Sequence, residues 1–254
     1  MSERQPGPEV VSRVGDLLRG IGAHEPAGVS TTDLARHVQM ARPTAHRLLT
    51  SLTREGLVDR DQATGNWRLG PELYLLGASA AARYDISRHA RPVVHALAEA
   101  TGESAFLSAR RGDETVCLLR QDGSFPLRSH VLHEGIRFPL GVASAGIVIL
   151  AHLPDPELNE FLDSGDLSES WGTDHGEASL RARVAQTRMA GYSTNPGLLV
   201  EGSWGMGAAV FDRSGAPAWA LSLTGVESRF RDDRRPELGR LLLQHAHRLT
   251  QMLR

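Results

Sequence analysis

The sequence contains no lysine; all 28 of its basic residues are arginine. That removes every chemistry requiring an ε-amine, including Schiff bases and the lysine of a phosphate-binding loop. A single cysteine, Cys117, excludes an internal disulfide and any site built on two thiols. No apolar run approaches the ~20 residues a bilayer-spanning helix needs. The opening MSERQPGPEVVSRVGDLL has neither a basic leader nor a continuous apolar stretch, so no secretory signal is expected and the expected compartment is the cytoplasm. Neither Ser144 nor Ser203 sits in a G-x-S-x-G elbow, and no glycine-rich phosphate loop is present, which argues against an enzyme. Among the 11 histidines, His130 and His133 beside Glu134, and His245 with His247, lack a third ligand at a diagnostic spacing. No metal or cofactor is expected. Cys117 lies in the alternating run Val116-Cys117-Leu118-Leu119 and reads as a small core residue.

With 254 residues, 41% of them hydrophobic and 23% charged, the chain has room for two globular domains. The formal net charge of −2 offers no global attraction to nucleic acid, so DNA binding requires a local basic patch. Residues 28–70 supply one. Val11, Val14, Leu17, Leu18 and Ile21 form the stripe of a first helix; Ser30 or Thr31 caps a second, with Asp33 in its first turn. Gln39-Met40-Ala41 is a turn, and Pro43 suits the first turn of a third helix. On that helix Ala45, Leu48, Leu49 and Leu52 recur at core spacing, while Arg42, Thr44, His46, Arg47, Thr50, Ser51 and Arg54 share the opposite face. Arginine bonds guanine edges bidentately and hydroxyls reach phosphates, so this face suits a major groove. Gly56 ends the helix, and residues 57–60 and 66–69 read as a hairpin presenting Arg60 and Arg68 to DNA. The expected DNA-facing set is Thr31, Arg42, Pro43, Thr44, His46, Arg47, Thr50, Arg60 and Arg68. The alternative is a ligand-binding or protein-interaction module whose winged helix does not bind DNA.

Residues 71–83 read as an alanine-rich linker helix with Leu73, Leu76 and Ala80 on one stripe, suited to close contact with a second copy. Beyond it, helices are expected over 86–101, 144–153, 177–189 and 235–253. Strands are expected over 103–109 and 115–121 around a 110–113 turn, over 127–131, and as a hairpin of 206–211 with 218–224. Helices against a largely antiparallel sheet give an α+β class. The helix starting at Ser144 offers free amides and a dipole to an anion, and Ser222 and Thr224 alternate onto one strand face.

The patterns LARHVQMARPTAHRLLTSLTREGLVDRD and NWRLG, followed by FPLGVASAGIVILAHLP and GMGAAVFDRSGAPAWALSLTG, resemble the IclR family of bacterial transcriptional regulators over nearly the whole chain. The resemblance implies an N-terminal winged helix-turn-helix (residues 8–70), a linker helix (71–84) and a C-terminal GAF-like effector-binding domain (85–254). It implies a homodimer or dimer of dimers on double-stranded operator DNA, most often as a repressor, controlled by a small-molecule effector and acting at no membrane. Ser144 and Ala145 match the family's ligand positions at the helix start; Asn195 matches a polar loop position, and Ser222 and Thr224 match hydroxyls on the last strand. Two positions depart from the pattern: Ile147 replaces a usual lysine and Gly205 a frequent cysteine. With Met206 and Trp204 beside Gly205, and Leu140, Phe106 and Trp219 as candidate walls, the expected pocket is roomy and apolar, suited to an aromatic or aliphatic carboxylate.

Overall fold

The computed structural model describes residues 9–81 and 86–254. These fall into two compact units, one comprising the residues through Ala81 and the other Ile86–Arg254. The part of the expected linker beyond Ala81 lies outside the described residues.

In the first unit α1 (Glu9–Gly22), α2 (Thr31–His37) and α3 (Arg42–Arg54) precede the hairpin β1 (Val58–Arg60) and β2 (Trp67–Leu69), and α4 (Pro71–Ala81) follows. Leu17, Ile21, Leu34, Ala45, Leu49, Leu52, Val58 and Trp67 make one core. Val11, expected on the buried stripe, is 65% exposed because the core begins only further along α1. Ser30 caps α2: its hydroxyl accepts from the Asp33 amide at 3.1 Å and donates to the Asp33 carboxylate at 2.7 Å. That hydroxyl, with Arg36, holds the Asp33 carboxyl below its ordinary range. At the far end of α3, Gly56 adopts φ 68°, which closes the helix. Its carbonyl then accepts from the Glu72 amide at 3.2 Å. Gly70 packs so tightly against that carbonyl that no side chain fits there.

The second unit carries α5 (Ile86–Thr101), β3 (Ser104–Arg111), β4 (Glu114–Gln121), β5 (Arg137–Pro139), α6 (Ser144–Ala151), α7 (Asp155–Asp163) and α8 (Ser168–Trp171). After a 3-10 turn at Thr173–His175 come α9 (Glu177–Ala190), β6 (Ser193–Pro196), β7 (Ser203–Phe211), β8 (Pro217–Val226) and α10 (Arg235–Leu253). The strands form one antiparallel sheet in the order β5-β4-β3-β8-β7-β6. Helices cover both of its faces. Leu221 and Leu223 of β8 join Met206, Ala208 and Val210 of β7 in a core with α5 and α10. Ala209 and Ala220 point the other way, into a core with α6, α7 and α9.

Several expected elements move. Residues 127–131 form no strand: Leu127 stays exposed, and Ser129 instead bonds the Ser203 hydroxyl at 2.6 Å. The strand beside β4 is β5, ten residues further on, paired over only three positions. Arg110 and Arg111 extend β3, leaving the two-residue turn Gly112-Asp113, where Gly112 takes φ 61°. Helices α7 and α8 and the edge strand β6 were not expected.

Candidate DNA-binding surface and effector site

On α3 the core positions Ala45, Leu49 and Leu52 face inward, so Arg42, Pro43, His46, Arg47, Thr50, Ser51 and Arg54 are exposed and Thr44 is half-buried. Among the described residues, none of Arg42, Arg47 and Arg54 is ion-paired, which leaves three guanidinium groups available. The hydroxyls of Thr50 and Ser51 donate back to the carbonyls of His46 and Arg47, at 2.9 and 3.1 Å. Their oxygens therefore face outward as acceptors more than donors.

Trp67 joins the wing to the helices. Its backbone exchanges hydrogen bonds with Val29 at 2.8 and 3.0 Å, and its indole N–H donates to the Thr31 hydroxyl at 2.8 Å. The ring also meets His46 edge-on at 6.2 Å, and the Arg60 guanidinium lies over it at 5.4 Å. Thr31 is accordingly 8% exposed, with its hydroxyl turned inward. It departs from the expected DNA-facing set because the buried indole claims its oxygen.

The wing arginines do not act together. Arg60 pairs across the hairpin with Trp67, whereas Arg68 pairs with Asp59, so the two side chains leave opposite faces of the ribbon. Arg68 also meets Asp61 at 3.3 Å. The Asp61 carboxyl sits below its ordinary range because the Thr64 backbone and hydroxyl and the Ala63 amide donate to it. Arg60 is the wing's better candidate for a phosphate.

In the second unit, register places the expected effector residues. Phe106, Ser222, Gly207 and Ser193 occupy one rung across β3, β8, β7 and β6; Ser104, Thr224, Gly205 and Asn195 occupy the next on the same face. That face is covered by α6. Ser222 is wholly buried and Thr224 is 6% exposed, yet neither hydroxyl has a hydrogen-bond partner. Ser144 and Ala145, also buried, begin α6, whose N-cap Ala143 supplies no side-chain bond. Two amides at the positive end of a helix thus open beside two idle hydroxyls, a donor-rich setting for an anionic or polar ligand.

Asn195 is buried and engaged on both sides: its amide donates to the Val142 carbonyl at 2.8 Å and accepts from the Leu198 amide at 3.1 Å. It fixes the loop entering α6. Leu140 is fully buried under α6. Phe106, Leu132, Phe138, Val142, Ala143 and Cys117 cluster, with Trp171 and Leu199 packed against them, providing the apolar side of the site. Phe138 and Trp171 meet edge to face at 5.7 Å. Burial, with the Glu134 charge, pushes the Cys117 thiol up to about 12, so it remains protonated and unreactive at neutral pH.

Two expected wall residues face the wrong way. Met206 lies one position from Gly205 and therefore points into the core with α5 and α10; Trp219, next to Ala220, packs on that same core. Strand alternation removes both from the site. The space left by Gly205 is also smaller than the missing side chain suggests. A Cβ there would lie 3.1 Å from the Ser144 hydroxyl oxygen, which occupies the gap. Sequence reasoning missed Ser193, whose hydroxyl donates to the Ser144 carbonyl at 2.7 Å. It also missed Gly207, where a Cβ would lie 2.9 Å from that carbonyl oxygen. The short run Ser-Thr-Asn-Pro gives little strand signal for Ser193, and nothing in the sequence pairs Gly207 with α6.

A helix-turn-helix with a wing, joined in one chain to a sheet-and-helix unit with a polar buried site, defines a DNA-binding regulator with a separate sensory domain. The chain belongs to the IclR family of bacterial transcriptional regulators. The IclR helix-turn-helix domain matches residues 10–62, and the bacterial transcriptional regulator IclR C-terminal domain matches residues 78–251. The chain is similar to the transcriptional repressor IclR of Escherichia coli (strain K12), 26% identical over 94% of this chain and 89% of that protein. It is 30% identical to the glycerol operon regulatory protein of Streptomyces griseus, over 89% of this chain and 88% of that one. Its fold matches an IclR homolog from Microbacterium hydrocarbonoxydans solved in complex with 4-hydroxybenzoate, with TM-score 0.77, 21% identity, and coverage of 96% of this chain and 98% of the other. No described helix is long and apolar enough to cross a membrane.

Proposed function

We propose that this transcriptional regulator is a repressor that binds its operator as a homodimer or dimer of dimers, and releases or tightens on it when a small organic carboxylate occupies the C-terminal domain. It acts in the cytoplasm by binding alone, without catalysis. The observation that carries the effector reading is the pair of buried hydroxyls, Ser222 and Thr224, without partners beside the uncapped start of α6. Buried polar groups normally find partners, and a ligand that bonds both removes the deficit. The aromatic cluster around Phe106, Phe138 and Trp171 favours a ring or aliphatic body on that carboxylate. 4-Hydroxybenzoate, the ligand of the Microbacterium homolog, has this composition and is the first probe.

Arg42, Arg47 and His46 on α3 form the proposed base-reading face, with Pro43, Thr44, Thr50 and Arg60 beside them. Tyr74, Leu75 and Leu76 on α4, exposed at 77%, 55% and 53%, suit contact with a second copy. A dimer places two recognition helices on half-sites about one helical turn apart. The ligand acts only so far as it binds the DNA-competent and DNA-incompetent arrangements unequally. The test is a mobility-shift titration on the DNA flanking the chain's own gene, with and without 4-hydroxybenzoate and other carboxylates. A shift that responds to a carboxylate in the unsubstituted protein, and ceases to respond when Ser222 and Thr224 are replaced, supports the reading. A shift indifferent to every carboxylate overturns the effector assignment, and no shift at any concentration overturns the operator assignment.

A further inference from the structure

Two basic side chains in the second unit, buried His175 and half-buried Arg183, hold buried nitrogens that meet no acid. His175, in the turn preceding α9, is 1% exposed, and neither ring nitrogen makes a hydrogen bond. The backbone of Trp171 and of Val142 lies near the ring and favours its protonated form, but not in bonding geometry. Arg183, two turns along α9, donates from Nη1 to the Gly141 carbonyl at 3.3 Å. Its Nε and Nη2 are buried and bond nothing. Among the described residues no carboxylate reaches ion-pairing distance of Arg183; Asp174 acts on it only at longer range.

Nearby charges in this unit find partners. Buried Glu103 holds Arg229 at 2.8 Å and Arg234 at 2.5 Å, and on α9 itself Arg181 pairs with Glu177 and Arg188 with Asp155. Arg183 is the exception on its helix. Burial drives its guanidinium down to about 10, and burial with the Arg183 charge also lowers the His175 imidazole. Both effects measure how poorly the protein alone solvates this pair.

The idle atoms are also the right ones. Nε and Nη2 form one edge of the guanidinium, with two parallel N–H bonds spaced for the two oxygens of a carboxylate. A neutral imidazole adds one further N–H.

We propose that Arg183 and His175 form a carboxylate-binding subsite, in which the Nε–Nη2 edge of Arg183 takes both oxygens and His175 donates to one of them. Because the remaining guanidinium nitrogen holds the Gly141 carbonyl, three residues before Ser144, a carboxylate here also steadies the loop that begins α6. The proposal stands apart from the effector reading, since it uses neither Ser222 nor Thr224.

Acetate titrated into the full-length chain, at constant ionic strength against chloride, tests it by NMR of the Arg183 Nε–H and the His175 ring. The expected result is a saturable shift of both signals with acetate but not chloride, and a rise in the His175 pKa when acetate is bound. Arg183→Met keeps length while removing the fork, and should weaken acetate binding roughly tenfold or more; His175→Gln, which retains one donor, should weaken it less. Replacing Ser222 with Ala and Thr224 with Val should leave the Arg183 shift intact. If Arg183→Met does not fold, the Arg183 and His175 shifts of the unsubstituted chain decide the matter alone. Absence of a saturable shift, an equal response to chloride, or loss of the shift only in the Ser222/Thr224 variant overturns the proposal.

Discussion

The Ser193 hydroxyl donates a 2.7 Å hydrogen bond to the Ser144 carbonyl, fastening the first residue of α6 to the edge strand β6. Glycine makes this approach possible: a Cβ on Gly207 would stand 2.9 Å from both the Ser144 oxygen and the Ser193 hydroxyl. Gly207→Ala should therefore force α6 outward and cost about 1–3 kcal/mol, as overpacking does. Thermal denaturation should register a fall of roughly 2–4 °C per kcal/mol. Gly205→Ala meets only the Ser144 hydroxyl, at 3.1 Å, and should leave the melting temperature nearly unchanged while altering effector affinity. Equal destabilisation by both substitutions would contradict this packing.

Ser222 and Thr224 invite a different measurement. An unpartnered buried hydroxyl is costly to fold around, so Thr224→Val should be neutral or stabilising by up to about 1 kcal/mol in the absence of ligand. The Ser222→Ala, Thr224→Val double variant should keep its operator affinity and lose its response to carboxylates. Destabilisation by Thr224→Val would mean that the hydroxyl has a partner in solution.

Arg47→Ala should weaken operator binding by roughly 1–3 kcal/mol if the side chain reads a base. Arg68→Ala should do less, because Asp61 already meets that guanidinium at 3.3 Å. Fluorescence anisotropy on a labelled operator compares the two; a larger loss for Arg68 would reverse their assigned roles.

Trp67→Phe removes the donor to Thr31 and leaves that buried oxygen unsatisfied. The expected cost is about 1–3 kcal/mol, confined to the first unit. Circular dichroism melts should show it, and Thr31→Val combined with Trp67→Phe should recover part of the loss.

His175 carries a pH signature. Its imidazole is lowered in the folded chain by burial first and by the Arg183 charge second, with the Trp171 and Val142 backbone and then Asp174 opposing. The unfolded chain therefore binds the proton more readily, so stability is complete well above the ordinary histidine pKa of about 6.5 and declines as pH falls through it. The decline levels off below the folded pKa. Replacing His175 with Gln should flatten this part of the stability profile in buffers free of organic anions, and an unchanged slope between wild type and variant would refute the burial effect.

The longer helices of this molecule were legible in advance because packing repeats at helical spacing, whereas short α7 and α8 were not. The positions Ala45, Leu49 and Leu52 announced α3, and the expected 235–253 helix coincides with α10. Strand partners were harder to read. Ser222 and Thr224 were correctly assigned to one face, but placing Met206 and Trp219 on the opposite face required the register that only the paired sheet defines. Edge strands such as β6 owe their existence to a neighbour, here glycine-rich β7, rather than to their own composition. Thr31 shows the limit for hydroxyls, since spacing places the residue while a distant indole decides which way its oxygen points. The isolation of Arg183 had no sequence signal at all, because a missing partner leaves no pattern.

The Gly56 carbonyl ends α3 and receives the Glu72 amide of α4, with Gly70 wedged against it. Reading head and shaft are thereby keyed together without a slack residue between them. A bulkier residue at position 70 would pry this joint apart and shift α4 against the helix that carries Arg42, Arg47 and Arg54.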